Sequence, residues 1–381
     1  MTLSHEILAQ RVRESIAAAS LTQQELAEAV GISPSALSRA LAGKRNFKSL
    51  EIALIADHLG VSVEDLLESE TATGSEAKIA ARAQEGASPA IRTAIDRADL
   101  LLRHDRLLTD LGAPADGGFM DVAIPDGAPH EQGEGLARAL RDRMGLGFDD
   151  LPAELDAFAA LLEQKLGVNV AFESFQEGLD GLCVSRDAFR LILVSSRVAA
   201  TRQRYTLAHE LGHLVAGDSQ DIKVDENVWG VRTPMETRAN AFAAAFLMPA
   251  ETLRETVREE GINDASVAKL LGRLRVSLDA LSFRLHNIGA VNAEGRDRIR
   301  AMSSNAIYLR AGRASDLQAR NDRRVPMPLL SRSMKSFVHG DIGVRPLADL
   351  VGMDPGELLE ELSPPSKVAS NAASEEMIPV L

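Results

Sequence analysis

A single cysteine, Cys183, leaves this chain of 381 residues no intrachain disulfide to build. A chain that makes none suits a reducing compartment, here expected to be the cytoplasm. There is no apolar run of about 18 residues or more, the length a bilayer span needs, and the N-terminus lacks the pattern of a secretory leader. A soluble protein with no membrane partner is therefore expected. An excess of positive charge is missing too: 42 Lys and Arg stand against 55 Asp and Glu, a formal net of −13. That excludes a general polybasic nucleic-acid coat, so any DNA contact must be local. What the chain does have is length and apolar content, 45% hydrophobic, enough for two or three domains with real cores.

The most informative stretch is His209-Glu210-Leu211-Gly212-His213. On a helix, a four-residue spacing puts both imidazoles on one face, where they can grip one zinc ion while the carboxylate of Glu210 faces a bound water. Such a five-residue pattern also arises by chance on solvated helix faces, so its surroundings matter. Leu207, Leu211, Leu214 and Val215 recur at helical spacing and give the segment a buried face. Catalytic zinc needs a third protein ligand and one open position. Glu236 is the best candidate, at the start of an alanine-rich helix announced by Pro234 and closed before Pro249. Asp218, Asp225 and Glu226 are rivals in the intervening loop, and a solvated first-turn carboxylate is the plainer reading of Glu236. A donor for the oxyanion is also wanted, and Tyr205, Arg204 and His286 cannot be ranked from sequence. Tyr205 reads better as a core aromatic with a satisfied hydroxyl.

These residues carry a family resemblance. Arg204-Tyr-Thr-Leu-Ala-His209-Glu-Leu-Gly-His213, followed by Glu236-Thr-Arg-Ala-Asn240-Ala-Phe-Ala and Leu247-Met-Pro249, resembles the ImmA/IrrE family of metallopeptidases over about positions 130 to 290. The likeness extends upstream through Leu136 to Arg141, Met144 to Gly147, Glu163 to Val170 and Phe189 to Ser196. Downstream it takes in Val276-Ser277 and Arg284-Leu285. The resemblance implies a zincin-like fold, with His209, His213 and Glu236 as zinc ligands and Glu210 as general base. It also implies a regulatory protein substrate, often a helix-turn-helix repressor. One departure stands out: many members carry a further His four residues after the second ligand, where this chain has Gly217.

A second motif lies near the other end. Leu21 to Arg39 reads as helix, tight turn at Gly31, then a second helix. Thr22 and Glu25 form a capping box, Ser33 caps the second helix and Pro34 sits at its first position. Leu26, Ala27, Val30, Ile32, Leu37 and Leu41 supply the core. With flanking helices over 5–19 and 48–67, residues 1–68 resemble a lambda-repressor-like, XRE-type DNA-binding domain. Its second helix would bring Ser33, Ser35, Ala36, Ser38 and Arg39 to base edges, while Gln23, Lys44, Arg45 and Lys48 approach phosphates. The plainer alternative is a packing module that no longer binds DNA, since residues 1–70 hold six Lys or Arg against ten Asp or Glu, a net of −4. Local surface decides groove entry better than domain charge. A single copy would bind DNA weakly.

Between the motifs, residues 69–88 are rich in Ser, Thr, Gly, Glu and Ala and read as a linker. Ile91, Ile95, Leu101, Leu102, Leu108 and Leu111 follow at helical spacing. They could form the seam of a homodimer or dock on the peptidase region, and docking is the expected arrangement. Residues 113–133 read as an irregular crossing, 151–166 as a helix, and 168–172, 182–185 and 189–194 as strands, with Cys183 a packing residue in the second. Leu347 to Leu362 echo Leu26 to Leu41 in their core positions, but the would-be reading helix carries Asp354, Glu357, Glu360 and Glu361. It would repel phosphate, so a packing or partner-binding module is expected. The Arg-rich stretch 300–335 reads as a basic connector with a solvated face.

The expected architecture is α+β and multidomain. It comprises an all-α helix-turn-helix domain (1–68), a linker and spacer helix (69–129), a metallopeptidase domain with a small sheet (130–290), a mostly helical C-terminal region (291–363) and a disordered tail (364–381). Two functions fit. One is a zinc endopeptidase brought by its own domain to operator DNA, near its own or a neighbouring gene, to cleave a repressor, antitoxin or related regulator, conditionally after stress. The other is a non-catalytic transcription regulator whose peptidase-like domain senses zinc or a partner. A loop such as Ser219 to Pro234 could close a complete site.

Overall fold

The computed structural model describes residues 5–19, 21–59, 66, 89–115, 117–120, 122–175, 178–218, 222–225, 233–310, 312–313, 315, 318 and 322–362. The expected linker over 69–88 and tail over 364–381 lie outside the described residues. The chain divides into two compact units, Met1–Lys78 and Ile79–Leu381. The spacer helix and the C-terminal helices thus belong to the same unit as the His209 helix.

The first unit holds α1 (His5–Ala18), α2 (Gln23–Ala29), α3 (Pro34–Leu41) and α4 (Ser49–Leu59). Thr22 accepts from the Glu25 amide at 3.2 Å while the Glu25 carboxylate accepts from the Thr22 amide at 2.8 Å, so two orphan donors of α2 are satisfied reciprocally. Gly31 turns the chain at φ 69°, a conformation that costs a side-chain-bearing residue. Ser33 then caps α3 by accepting from the Ala36 amide. Leu8, Val12, Ile16, Leu26, Val30, Leu37, Leu41 and Ile55 close one core over these helices.

The second unit is built on a four-stranded sheet, order β1-β3-β2-β4, from β1 (Asn169–Glu173), β2 (Gly181–Arg186), β3 (Phe189–Ser195) and β4 (Ile222–Asp225). β1 runs parallel to β3, and β2 is antiparallel to both β3 and β4. Strand alternation splits the apolar side chains between two cores. Val170, Phe172, Cys183, Ile192 and Val194 face a large core shared with α6 (Pro129–Arg143), α7 (Leu155–Leu166), α8 (Ala200–Ala216) and α9 (Pro234–Leu247). Ala171, Leu182, Val184, Leu191 and Leu193 face the opposite way, against α5 (Pro89–Asp110) and α15 (Met327–His339). Docking of the spacer helix onto the sheet buries Ile91, Ile95, Leu101, Leu102 and Leu108. β4 falls in a stretch read from sequence as loop; four residues between two helices carry too short a pattern to signal a strand.

Between α9 and α15 run α10 (Ala250–Glu260), α11 (Asp264–Leu274), α12 (Leu278–Asn287), α13 (Ala293–Arg300) and α14 (Ser304–Arg310). Past α15 come α16 (Val344–Val351) and α17 (Pro355–Leu362), the pair that echoes α2 and α3. Gly352 turns at φ 73° much as Gly31 does, and Asp354 accepts from the Gly356 and Glu357 amides where Ser33 caps α3. Leu347, Ala348, Leu350 and Leu358 are buried while Asp354, Glu357, Glu360 and Glu361 are exposed.

Among the described arginines of 300–335, Arg323, Arg324 and Arg332 depart from the sequence reading of a solvated basic connector. Arg324 pairs with the buried Glu163 at 2.7 Å, and its backbone forms a bridge with Phe172 at the β1 edge. Arg323 and Arg97 share the Glu173 carboxylate at 3.0 and 2.6 Å. Both also donate to carbonyls at the end of α16, Arg323 to Val351 and Arg97 to Leu350. Those last-turn carbonyls have no partner within the helix, and cations there complement its dipole. Arg332 reaches back to Asp105 and the Ala113 carbonyl. Sequence spacing hides these pairs, because each partner lies many residues away.

Between α5 and α15, buried His104 donates from Nε2 to Ser333 Oγ at 2.6 Å, while that hydroxyl donates to the Leu329 carbonyl. Burial, reinforced by the Arg332 and Arg97 charges, pulls the His104 pKa from 6.5 down to about 4. An unfolded chain therefore takes up this proton before the folded one does. The contribution is fully present above pH 6.5 and is lost as pH falls toward 4. The expected size is on the order of 3 kcal/mol. Urea melts of wild type and His104→Leu between pH 7 and 4 should show the variant's stability falling less steeply; parallel curves would contradict this.

Candidate metal centre

The site starts from how α8 ends. Its N-terminus follows Ala199, and Gly217 in the left-handed region (φ 67°) stops it. That turn sends the Asp218 amide back to the His213 carbonyl at 3.0 Å and sets the Asp218 carboxylate against His213 Nδ1, also at 3.0 Å. Gly217 therefore does more than lack a histidine: it makes the turn that delivers Asp218, at a φ a histidine would adopt only with strain. Along α8, His209, Glu210 and His213 are fully buried.

The third residue comes from α9. Thr233 caps that helix by accepting from the Glu236 amide at 3.2 Å, which fixes Glu236 in the first turn. Gly212 lets α8 and α9 approach, since a Cβ there would stand 3.0 Å from the Phe242 ring. On the far side of α9, Gly133 of α6 admits the Arg238 carbonyl, which would lie 2.2 Å from an added Cβ. The crossings bring Glu236 Oε2 to 3.2 Å from His209 Nε2 and Oε1 to 3.4 Å from His213 Nε2. The two Nε2 atoms are 3.1 Å apart, with the rings T-shaped. Ligands bound to zinc at about 2.0–2.2 Å in a tetrahedron sit roughly 3.3 Å from one another. The two nitrogens, and each nitrogen with its nearer Glu236 oxygen, are spaced at about that separation, so the three side chains form a cluster that could hold one metal ion.

Glu210 lies beside Gly181 of β2, whose added Cβ would be 3.2 Å from Glu210 Oε1 and 2.6 Å from the Thr206 methyl. The glycine makes room for the carboxylate on the sheet side of the helix. Among the rival ligands, Asp218 instead binds His213 Nδ1 and the Arg238 guanidinium. Burial pushes its carboxyl up, but the hydrogen bond from His213 and the charge of Arg238 prevail and hold it below the usual carboxylate range. Asp225 ends β4 in register with Gly181, and Glu226 lies outside the described residues.

The three oxyanion-donor candidates have partners elsewhere. Tyr205 donates to the Asn240 carbonyl at 3.1 Å, and burial drives its phenol pKa up. Arg204 donates to the Pro152 carbonyl and stacks on Phe158, and His286 contacts the Val291 carbonyl.

In the first unit, Gln23, Ser33, Ser35, Ser38, Arg39, Lys44 and Lys48 are exposed, and Ala36 is half-buried. Arg45, expected near phosphate, pairs with Glu51 at 3.0 Å and donates to the Ala36 carbonyl, tying α3 to α4. No helix among the described residues is long and apolar enough to cross a membrane.

Residues 163–286 match the family described as the IrrE N-terminal-like domain, a peptidase family, and residues 11–66 match the helix-turn-helix family. The radiation response metalloprotease IrrE of Deinococcus deserti is 33% identical over 127 residues, covering 29% of this chain and 45% of that protein. Its counterpart from Deinococcus radiodurans is 34% identical over 99 residues, covering 25% and 30%. The chain thus spans less than half the length of these relatives. The crystal structure of ComR from Streptococcus suis aligns over 95% of this chain at 13% identity with a TM-score of 0.17. The chain joins an N-terminal helix-turn-helix domain to a peptidase domain of the IrrE N-terminal-like family.

Proposed function

We propose that this chain is a zinc-dependent endopeptidase of zincin-like fold, brought to operator DNA by its helix-turn-helix domain to cleave a regulatory protein there. The observation that carries this reading is the buried cluster His209, His213 and Glu236, with Glu210 one residue from the first histidine on the same helix. Two neutral imidazoles and one carboxylate suit zinc in charge and softness. Zinc held there would supply a Lewis acid and bring the pKa of a water near neutrality. The chain's own part is then threefold. His209, His213 and Glu236 hold and orient the ion, buried surroundings exclude bulk water, and Glu210 takes the attacking water's proton and returns it to the leaving amine.

For DNA, Ser33, Ser35, Ala36, Ser38 and Arg39 of the α3 region would face bases, with Gln23, Lys44 and Lys48 near phosphates. Arg45 contributes by fixing α3 on α4. The substrate class is a repressor, antitoxin or similar regulator, in keeping with relatives that are named radiation response metalloproteases. The second reading, a sensor that binds zinc without cutting, is favoured by the complete burial of His209, Glu210 and His213.

Full-length protein purified without chelator should carry about one zinc per chain, and His213→Ala should lose it; metal analysis decides, and no zinc after reconstitution would sink the centre. Glu210→Gln should retain the zinc yet cut a helix-turn-helix regulator encoded beside this gene at least ~100-fold more slowly. Wild-type rates in that variant would exclude Glu210 as base, and a zinc-loaded wild type that cuts none of these regulators would leave the sensor. Arg39→Ala should weaken binding to the DNA upstream of the gene by roughly 5- to 150-fold in a mobility-shift titration. An absence of wild-type binding at low salt would remove the operator role.

A further inference from the structure

Within the reading of the cluster as a zinc centre, we infer that Asp218 is its positioning residue, fixing the His213 tautomer and, through Arg238, locking the histidine helix to the helix that carries Glu236. A neutral imidazole carries one proton on one of its two nitrogens. Asp218 Oδ2 lies 3.0 Å from His213 Nδ1, and an ionised carboxylate can only accept. The proton therefore stays on Nδ1. The Nε2 lone pair is left facing the cluster, 3.1 Å from His209 Nε2 and 3.4 Å from Glu236 Oε1.

Asp218 is itself held at every polar end. Its amide donates to the His213 carbonyl through the Gly217 turn, so backbone and side chain grip the same histidine. Its other oxygen, Oδ1, takes Nη2 of Arg238. Arg238 stands two residues after Glu236 on α9, and its Nη1 donates to Gln132 Oε1 of α6 at 3.1 Å. The relay Gln132–Arg238–Asp218–His213 thus joins three helices, and two of them carry the metal-binding side chains. A carboxylate behind a ligating histidine also raises the basicity of its other nitrogen, and the loss of such a partner typically weakens metal binding about 10- to 100-fold. Packing alone would not require the charge: an amide has nearly the same shape but presents donors as well as an acceptor.

The test is the zinc dissociation constant of full-length wild type, Asp218→Asn and Arg238→Gln, by competition with a chromophoric chelator, alongside thermal melts of the zinc-free proteins. The expected result is a 10- to 100-fold weaker constant in Asp218→Asn and a smaller loss in Arg238→Gln, with the zinc-free Asp218→Asn melt within a few degrees of wild type. Unchanged affinity in Asp218→Asn, whatever its melting temperature, would overturn the inference. A wild type that binds no zinc would instead overturn the reading of the centre. Should Asp218→Asn fail to fold, nitrogen-15 NMR of the wild type at neutral pH decides alone: a His213 proton on Nδ1 supports the assignment, and one on Nε2 overturns it.

Discussion

Two imidazoles and a carboxylate buried within one turn of α8, with a second carboxylate brought to them by α9, are costly to remove from water, and the second unit is organised around holding them. His209 and His213 sit on a helix whose opposite face is apolar core, so they cannot turn to solvent. Glu236 is fixed by the Thr233 cap at the start of a helix packed on that core. Close approach makes the arrangement precise. Gly133, Gly181 and Gly212 each stand where a methyl group would collide with a neighbouring helix or with a side chain of α8. Size at these positions, as much as chemistry at the histidines, sets donor distances that suit a single ion.

The sheet supplies rigidity because both of its faces are covered. α6 to α9 cover one face, and α5 and α15 the other. The outer layer is held by apolar burial and by long-range guanidinium pairs: Arg97 and Arg323 on Glu173, Arg324 on Glu163, Arg332 on Asp105. Arg97 and Arg323 also cap α16, so the helix pair that repeats the shape of α2 and α3 is fastened at its base to β1 and α5. The repeated shape serves packing on that side, while its acidic second helix stays in solvent. In the first unit the same glycine turn and capped second helix leave a mixed polar and basic helix face exposed. The two helix pairs share the turn but differ in what they expose: Ser33, Ser35, Ser38 and Arg39 in the first, Asp354, Glu357, Glu360 and Glu361 in the second.

Much of this was legible in the residues. The capping box at Thr22 and Glu25, the glycine at 31 and the Ser33-Pro34 start are local signals, decided within a few residues, and the structure follows them. The apolar runs over 168–172, 182–185 and 189–194 marked three strands, because a strand buried on both faces reads as a near-continuous run of apolar, often branched residues. The pairing of His209 with His213 follows from helical spacing alone. β4, the arginine pins and the role of Arg45 were not legible, since each depends on a partner the chain brings close only after folding.

The sequence by itself determined the local grammar: where helices start and stop, which faces are apolar, and that two histidines and a neighbouring carboxylate share a helix. It could propose Glu236 among several acids but not choose between them, and it offered Asp218 as one more ligand. The tertiary structure brings Glu236 beside the two imidazoles and sets Asp218 against one of them. Glycine contacts at 133, 181 and 212 set how closely the helices and the sheet approach, and that spacing brings Glu236 onto the histidine nitrogens while the Gly217 turn places Asp218 behind one ring. A donor's distance to an ion is a property of packing between distant segments, and no periodicity within one segment encodes it.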